Sequence, residues 1–154
     1  MSLQALVSIL MFLTAVSAAY IAWQQHRTSK LQYRAYLFGQ RMQVFLSARS
    51  FMDDVCRDAS TSAQRLIQFR RETAGAEFLF GDDREVLGCL DEIYNAGVEL
   101  EGLCNELYPA RGQGLAVGPE RTKASQRKAE LLIDFTGALR CGLRRALRRH
   151  LTLP

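Results

Sequence analysis

Residues 5–23, ALVSILMFLTAVSAAYIAW, are mostly apolar and carry no charge. Nineteen such residues make about 28 Å of helix at roughly 1.5 Å per residue, close to the hydrocarbon thickness of a bilayer. The polar members Ser8, Thr14 and Ser17 are hydroxyls that can bond back to the helix's own carbonyls. Tyr20 and Trp23, near the C-terminal end, suit a headgroup layer. The pattern therefore predicts a transmembrane anchor over 1–26. A cleaved secretory signal is the competing reading, with Ser17 and Ala19 as small residues at a cleavage site. Such a signal carries positive charge before its apolar run. Here Met1 to Gln4 has no charged side chain, and Arg27, Lys30 and Arg34 follow the run. That asymmetry favours a retained single-pass anchor, N-terminus out and body cytoplasmic.

Beyond the anchor the pattern turns amphipathic. Leu31, Phe38, Met42, Phe45, Met52 and Val55 recur at helical spacings, which predicts a helix from Ser29 to about Arg57. "DASTS" offers N-cap side chains for a second helix, with Leu66, Ile67, Arg70 and Ala74 on one side. "GAEFLFGDD" reads as a tight turn whose aromatics plug the core, with Asp82 or Asp83 capping the next helix. Val86, Leu90, Ile93, Gly97, Leu100, Cys104 and Leu107 then alternate steps of four and three, a heptad-type seam over about 83–108. Its other face carries Asp91, Glu92, Glu99, Glu101 and Glu106. "PARGQGLAVGPE" is a connector. From Pro119 a last helix should run to about His150, with Leu132, Phe135, Leu139, Leu143 and Leu147 inward. The expected fold class is all-α: one N-terminal transmembrane helix, then an antiparallel bundle of about four helices over 27–154.

Within "RLIQFRRETAGAEFLFGDDREVLGCLDEIYNAGVEL" the chain resembles a family of small bacterial proteins with one N-terminal membrane helix and a helical cytoplasmic body. They share an aromatic FLF-type turn followed by an acidic helix of YLDEIY-like pattern; here Cys89–Leu90 stands in place of the tyrosine and leucine. The resemblance covers about a quarter of the chain strongly and implies fold and topology, in a bacterial inner membrane. It brings no catalytic residues. Some antiphage membrane effectors share the layout.

Charge adds a second pattern. The net charge is +4, but residues 24–71 carry nine Lys/Arg against three Asp/Glu, residues 72–107 one against ten, and residues 108–154 ten against three. Acidic and basic helices packed side by side would leave a surplus positive face for a partner. The densest part is "LRCGLRRALRRH": Arg140, Arg144 and Arg148 form one helical row, and Arg145 and Arg149 a second beside it. Their repulsion needs a neutralising group, for which the protein's own acidic helix, anionic headgroups and the phosphates of an oligonucleotide or nucleotide compete. These five arginines are the candidate anion site.

The remaining chemistry is thin. The four cysteines contain no CxxC spacing, and the two histidines, His26 and His150, stand at opposite ends, so no metal site is expected and the thiols should be reduced core residues. Gly112-x-Gly114-x-x-x-Gly118 lacks the strand and helix that a phosphate-binding loop requires. Adjacent carboxylates such as Asp53-Asp54 point about 100° apart on a helix and do not converge. No catalytic residue or cofactor is expected. One more stripe stands out: Gln4, Ser8, Met11, Ala15, Ala18, Ala22 and Gln25 share a face of the first helix, suited to close packing between copies or to lining a pore. The functional expectation is thus a non-enzymatic, self-associating membrane effector in antiphage defence, a ligand-gated channel with a basic sensing face. The alternative is an anchored scaffold recruiting a cytoplasmic protein partner.

Overall fold

The computed structural model describes residues 3–81, 83–109 and 114–151, without the side chains of Leu3, Ala5, Leu6 and Ile9. Among them there are six helices and no strand: α1 (Leu3–Asp58), α2 (Ala63–Thr73), α3 (Ala76–Phe80), α4 (Arg84–Leu107), α5 (Pro119–Thr136) and α6 (Ala138–Arg148). The chain divides into two compact units, Met1–Leu37 and Phe38–Pro154. The first unit is helix α1 alone among the described residues. Ser8 Oγ donates to the Gln4 carbonyl at 3.0 Å and Thr14 Oγ1 to that of Met11 at 2.8 Å, so the hydroxyls are satisfied within the helix.

Among the described residues no helix is long and apolar enough to cross a membrane. This corrects the expected transmembrane anchor over 1–26, and with it the single-pass topology and inner-membrane location. Ser8, Thr14, Ser17 and Tyr20 interrupt the apolar run within α1, and Gln24, Gln25, His26 and Arg27 close it. The stripe of Gln4, Ser8, Met11, Ala15, Ala18 and Ala22 lies exposed on α1, and its expected role in lining or packing within a bilayer falls with the span.

The second unit is built around one core. The inward face of α1 is Val44, Ala48, Phe51, Met52 and Val55. The expected register is only partly right, since Leu31 is 58% exposed and Phe45 half-buried. Ser62 caps α2, accepting from Arg65 N at 3.4 Å, and Leu66, Phe69 and Thr73 face inward. Ile67 and Ala74, expected beside Leu66, are exposed. "AEFLF" is a short helix rather than a turn. Its i, i+4 pair Ala76 and Phe80 is buried, while Phe78 is 90% exposed and plugs nothing. Gly81 ends it at φ +59°, a left-handed angle that favours glycine.

The α4 seam matches its expected register: Val86, Leu90, Ile93, Gly97, Leu100 and Leu107 are buried, with Cys104 half-buried. Asp83 is its N-cap, accepting from Glu85 N at 3.1 Å; Asp82 lies outside the described residues, as does Gly112 of the connector. The expected single last helix is two. Gly137 breaks it, its N–H still donating to the Ile133 carbonyl while α6 starts afresh with Cys141 N donating to the Gly137 carbonyl at 3.0 Å. Among residues other than proline, glycine has the weakest preference for helix, so a break comes most easily there. The break re-aims the chain so that Leu131 and Phe135 of α5, and Leu143, Ala146 and Leu147 of α6, are all buried.

Candidate functional site

Helix α6 carries the site. Leu143, Ala146 and Leu147 are completely buried. At about 100° per residue, Arg144, Arg148 and Arg145 then fall away from the core side of the helix, and all three are exposed. The five arginines expected to act together divide into two kinds. Arg140 pairs with Asp53 of α1. Arg149 reaches Asp83 at 3.5 Å and Glu85 at 2.5 Å, at the start of α4. Arg144, Arg145 and Arg148, between these flanks, make no ion pair among the described residues.

The acidic helix does not neutralise them. Asp91 is taken by Arg70 of α2 at 2.8 Å, and Arg70 also lies over the Tyr94 ring at 4.8 Å. Glu99 is taken by Arg127 of α5, whose Nε and Nη2 donate to its two oxygens at 2.6 and 3.0 Å. This two-pronged bond holds the Glu99 carboxyl below its usual range. Asp91 and Glu99 are thus engaged by other helices. Three neighbouring like charges remain facing solvent, over a span of about 6 Å along the helix.

One end of the stripe is fastened by a cluster that sequence spacing conceals. His150 Nε2 stands 2.7 Å from Asp83 Oδ2, and its ring meets Phe80 edge-on at 5.2 Å. The His150 hydrogen bond, then the Glu85 amide, Arg149 and the Val86 amide, hold the Asp83 carboxyl below the ordinary carboxylate range, against an opposing effect of burial. A carboxyl depressed on folding contributes stability that is present above its unfolded value and lost as pH falls through its folded one. Thermal melting followed from pH 5 to pH 3 should therefore fall more steeply for the wild type than for Asp83→Asn. Parallel pH profiles would show that Asp83 does not anchor the end of α6.

The thiols divide similarly. Cys56, Cys89 and Cys104 pack half-buried against the core, and burial raises Cys56 and Cys89 above the ordinary thiol range, which makes them poor nucleophiles. Cys141 is exposed on α6. Among the described residues no three His, Cys, Asp or Glu side chains converge as a metal site requires. The chain matches no protein-family model, no curated protein and no solved structure.

Nothing in the local period marks which arginines are spoken for. Asp53 and Arg140 are 87 residues apart, and Asp83 and Arg149 are 66 apart. The arginine rows are visible in the sequence; their neutralising partners are not.

Proposed function

We propose that the protein is a non-enzymatic binding protein whose second unit takes a polyanion, an oligonucleotide, on Arg144, Arg145 and Arg148 of α6. One observation carries this reading. These three guanidinium groups are without ion pairs among the described residues, while the arginines on either side are paired, and Asp91 and Glu99 of α4 are taken by Arg70 and Arg127. Three neighbouring cations held on a rigid helix repel one another, and phosphates relieve that repulsion while releasing counterions. Arginine also presents a planar fork that fits phosphate oxygens in pairs.

The test is fluorescence anisotropy of a labelled twelve-nucleotide single strand with the wild type and with R144Q/R145Q/R148Q. The variant should bind at least about tenfold more weakly. Its melting temperature should hold or rise, because no ion pair is lost and repulsion is relieved. Equal binding by the two proteins, or binding of anionic vesicles but not of the oligonucleotide, would refute the reading. A variant that melts far lower would show these arginines to be structural.

A further inference from the structure

A second charged surface lies on the first unit. From Met1 to Met52 the chain holds no aspartate or glutamate, and Arg27, Lys30 and Arg34 of α1 are all exposed. At about 100° per residue these three fall within about 60° of one another around the helix. Arg27 and Lys30 are three apart and Lys30 and Arg34 four apart, so like charges sit as neighbours, an arrangement that costs a helix stability. None of the three makes an ion pair among the described residues. Two rings continue the same face: Tyr20 and Trp23 are 61% and 60% exposed, with ring centroids 6.2 Å apart. All five side chains keep within about 80° of one another over about 21 Å of helix.

The combination selects the ligand. Spaced cations on one face ask for an anion of repeated charge, and exposed rings in line with them ask for flat, unpaired bases. Single-stranded nucleic acid supplies both, since its phosphates follow a basic track while successive bases stack on aromatic side chains. A duplex keeps its base faces covered. An anionic lipid surface needs an apolar face alongside the basic one. Here the side opposite Arg27, Lys30 and Arg34 holds Gln25, Ser29 and Gln32, which line one shallow recess, and exposed Tyr36. We propose that Tyr20, Trp23, Arg27, Lys30 and Arg34 form a second contact for a single-stranded oligonucleotide, with the cations on phosphates and the rings stacked on bases. Either this contact or the one on α6 can fail without the other.

The test uses the full chain carrying R144Q/R145Q/R148Q, which removes the α6 contact. Trp23 is the one tryptophan of the chain, so its emission reports on this face alone. A twelve-nucleotide thymidine single strand should quench that emission, because a base stacked on the indole meets it directly. Adding R27Q/K30Q/R34Q should raise the strand concentration needed for half the quenching at least about tenfold. In anisotropy of the labelled strand, Trp23→Ala should weaken binding at least about fivefold. An emission that the strand leaves unchanged would overturn the proposal, even where the wild type binds the strand through α6. So would equal quenching with and without the three substitutions on α1. Quenching by vesicles containing phosphatidylserine, but not by the strand, would assign the stripe to lipid and overturn it as well.

Discussion

Phe135→Ala should cost the second unit about 3–5 kcal/mol of stability, the usual loss when a fully buried phenylalanine leaves a cavity. Phe135 is completely buried and meets the ring of Phe51 edge-on at 6.3 Å. It belongs to the last turn of α5, just before the Gly137 break, where the chain turns back into α6. The substitution therefore removes contact with α1 and loosens the junction that sets the α6 register. A domain of this size commonly has only about 5–15 kcal/mol to lose, so the melting temperature should drop by on the order of 10–20 °C. Calorimetry or far-ultraviolet dichroism of the full chain measures it. A drop of only a few degrees would mean that Phe135 is not a central contact of this core.

Gly97→Leu should cost as much as, or more than, the roughly 1–3 kcal/mol typical of overpacking, because a first carbon at this position already presses on its neighbours. A Cβ built on Gly97 would stand 2.8 Å from Leu66 Cδ2 and 3.1 Å from Phe51 Cζ. Helix α2 and the core stretch of α1 both press against α4 at this point. Gly97→Ala is the milder case: alanine gains up to about 1 kcal/mol of helix propensity, and the nearest atom is the end of a leucine side chain that can turn aside. It should melt close to the wild type. The clash can also be located, because adding Leu66→Ala to Gly97→Leu should restore part of the loss; contacting residues couple in this way. If Gly97→Leu melts like the wild type, the α2–α4 approach is looser than described.

How far these features are legible in the sequence differs by element. The α4 seam reads correctly down to Gly97, because one helix buried along a narrow stripe leaves an alternation of four and three in the apolar positions. Ser62 and Asp83 are legible as caps for a local reason: each bonds an amide two or three residues on. The run at 5–23 reads as a membrane span from its length and lack of charge, yet among the described residues no helix is long and apolar enough to cross a membrane, and hydroxyls and Tyr20 dilute this run. The break at Gly137 escapes the sequence because one glycine inside a helical period is compatible with continuation. Phe78 looks internal only when aromatic identity is weighed above position. In this five-residue helix the i, i+4 pair Ala76 and Phe80 is buried and Leu79 packs beside it, which leaves Phe78 on the outer side.

The site shows the same limit in another form. The density of arginine in α6 is plain, but whether each charge is free or spent depends on Asp53, Asp83 and Glu85, brought there by the fold from far along the chain. Arg70 and Arg127, which occupy Asp91 and Glu99, give no signal beyond being basic residues on helices packed beside α4. Nothing in the sequence of α2 or α5 marks either as the neutralising element for those carboxylates. Only the packed structure separates the three arginines without ion pairs among the described residues from the two paired ones.

The central claim is that Arg144, Arg145 and Arg148 contact phosphates, and the salt dependence of oligonucleotide binding tests it most directly. Each phosphate contact on a single strand contributes about −0.7 to the slope of log affinity against log salt. The wild-type slope should exceed that of R144Q/R145Q/R148Q by about 2, matching three lost contacts. Slopes that run parallel for the two proteins, whatever their affinities, would show that the phosphates are held elsewhere and would contradict the account.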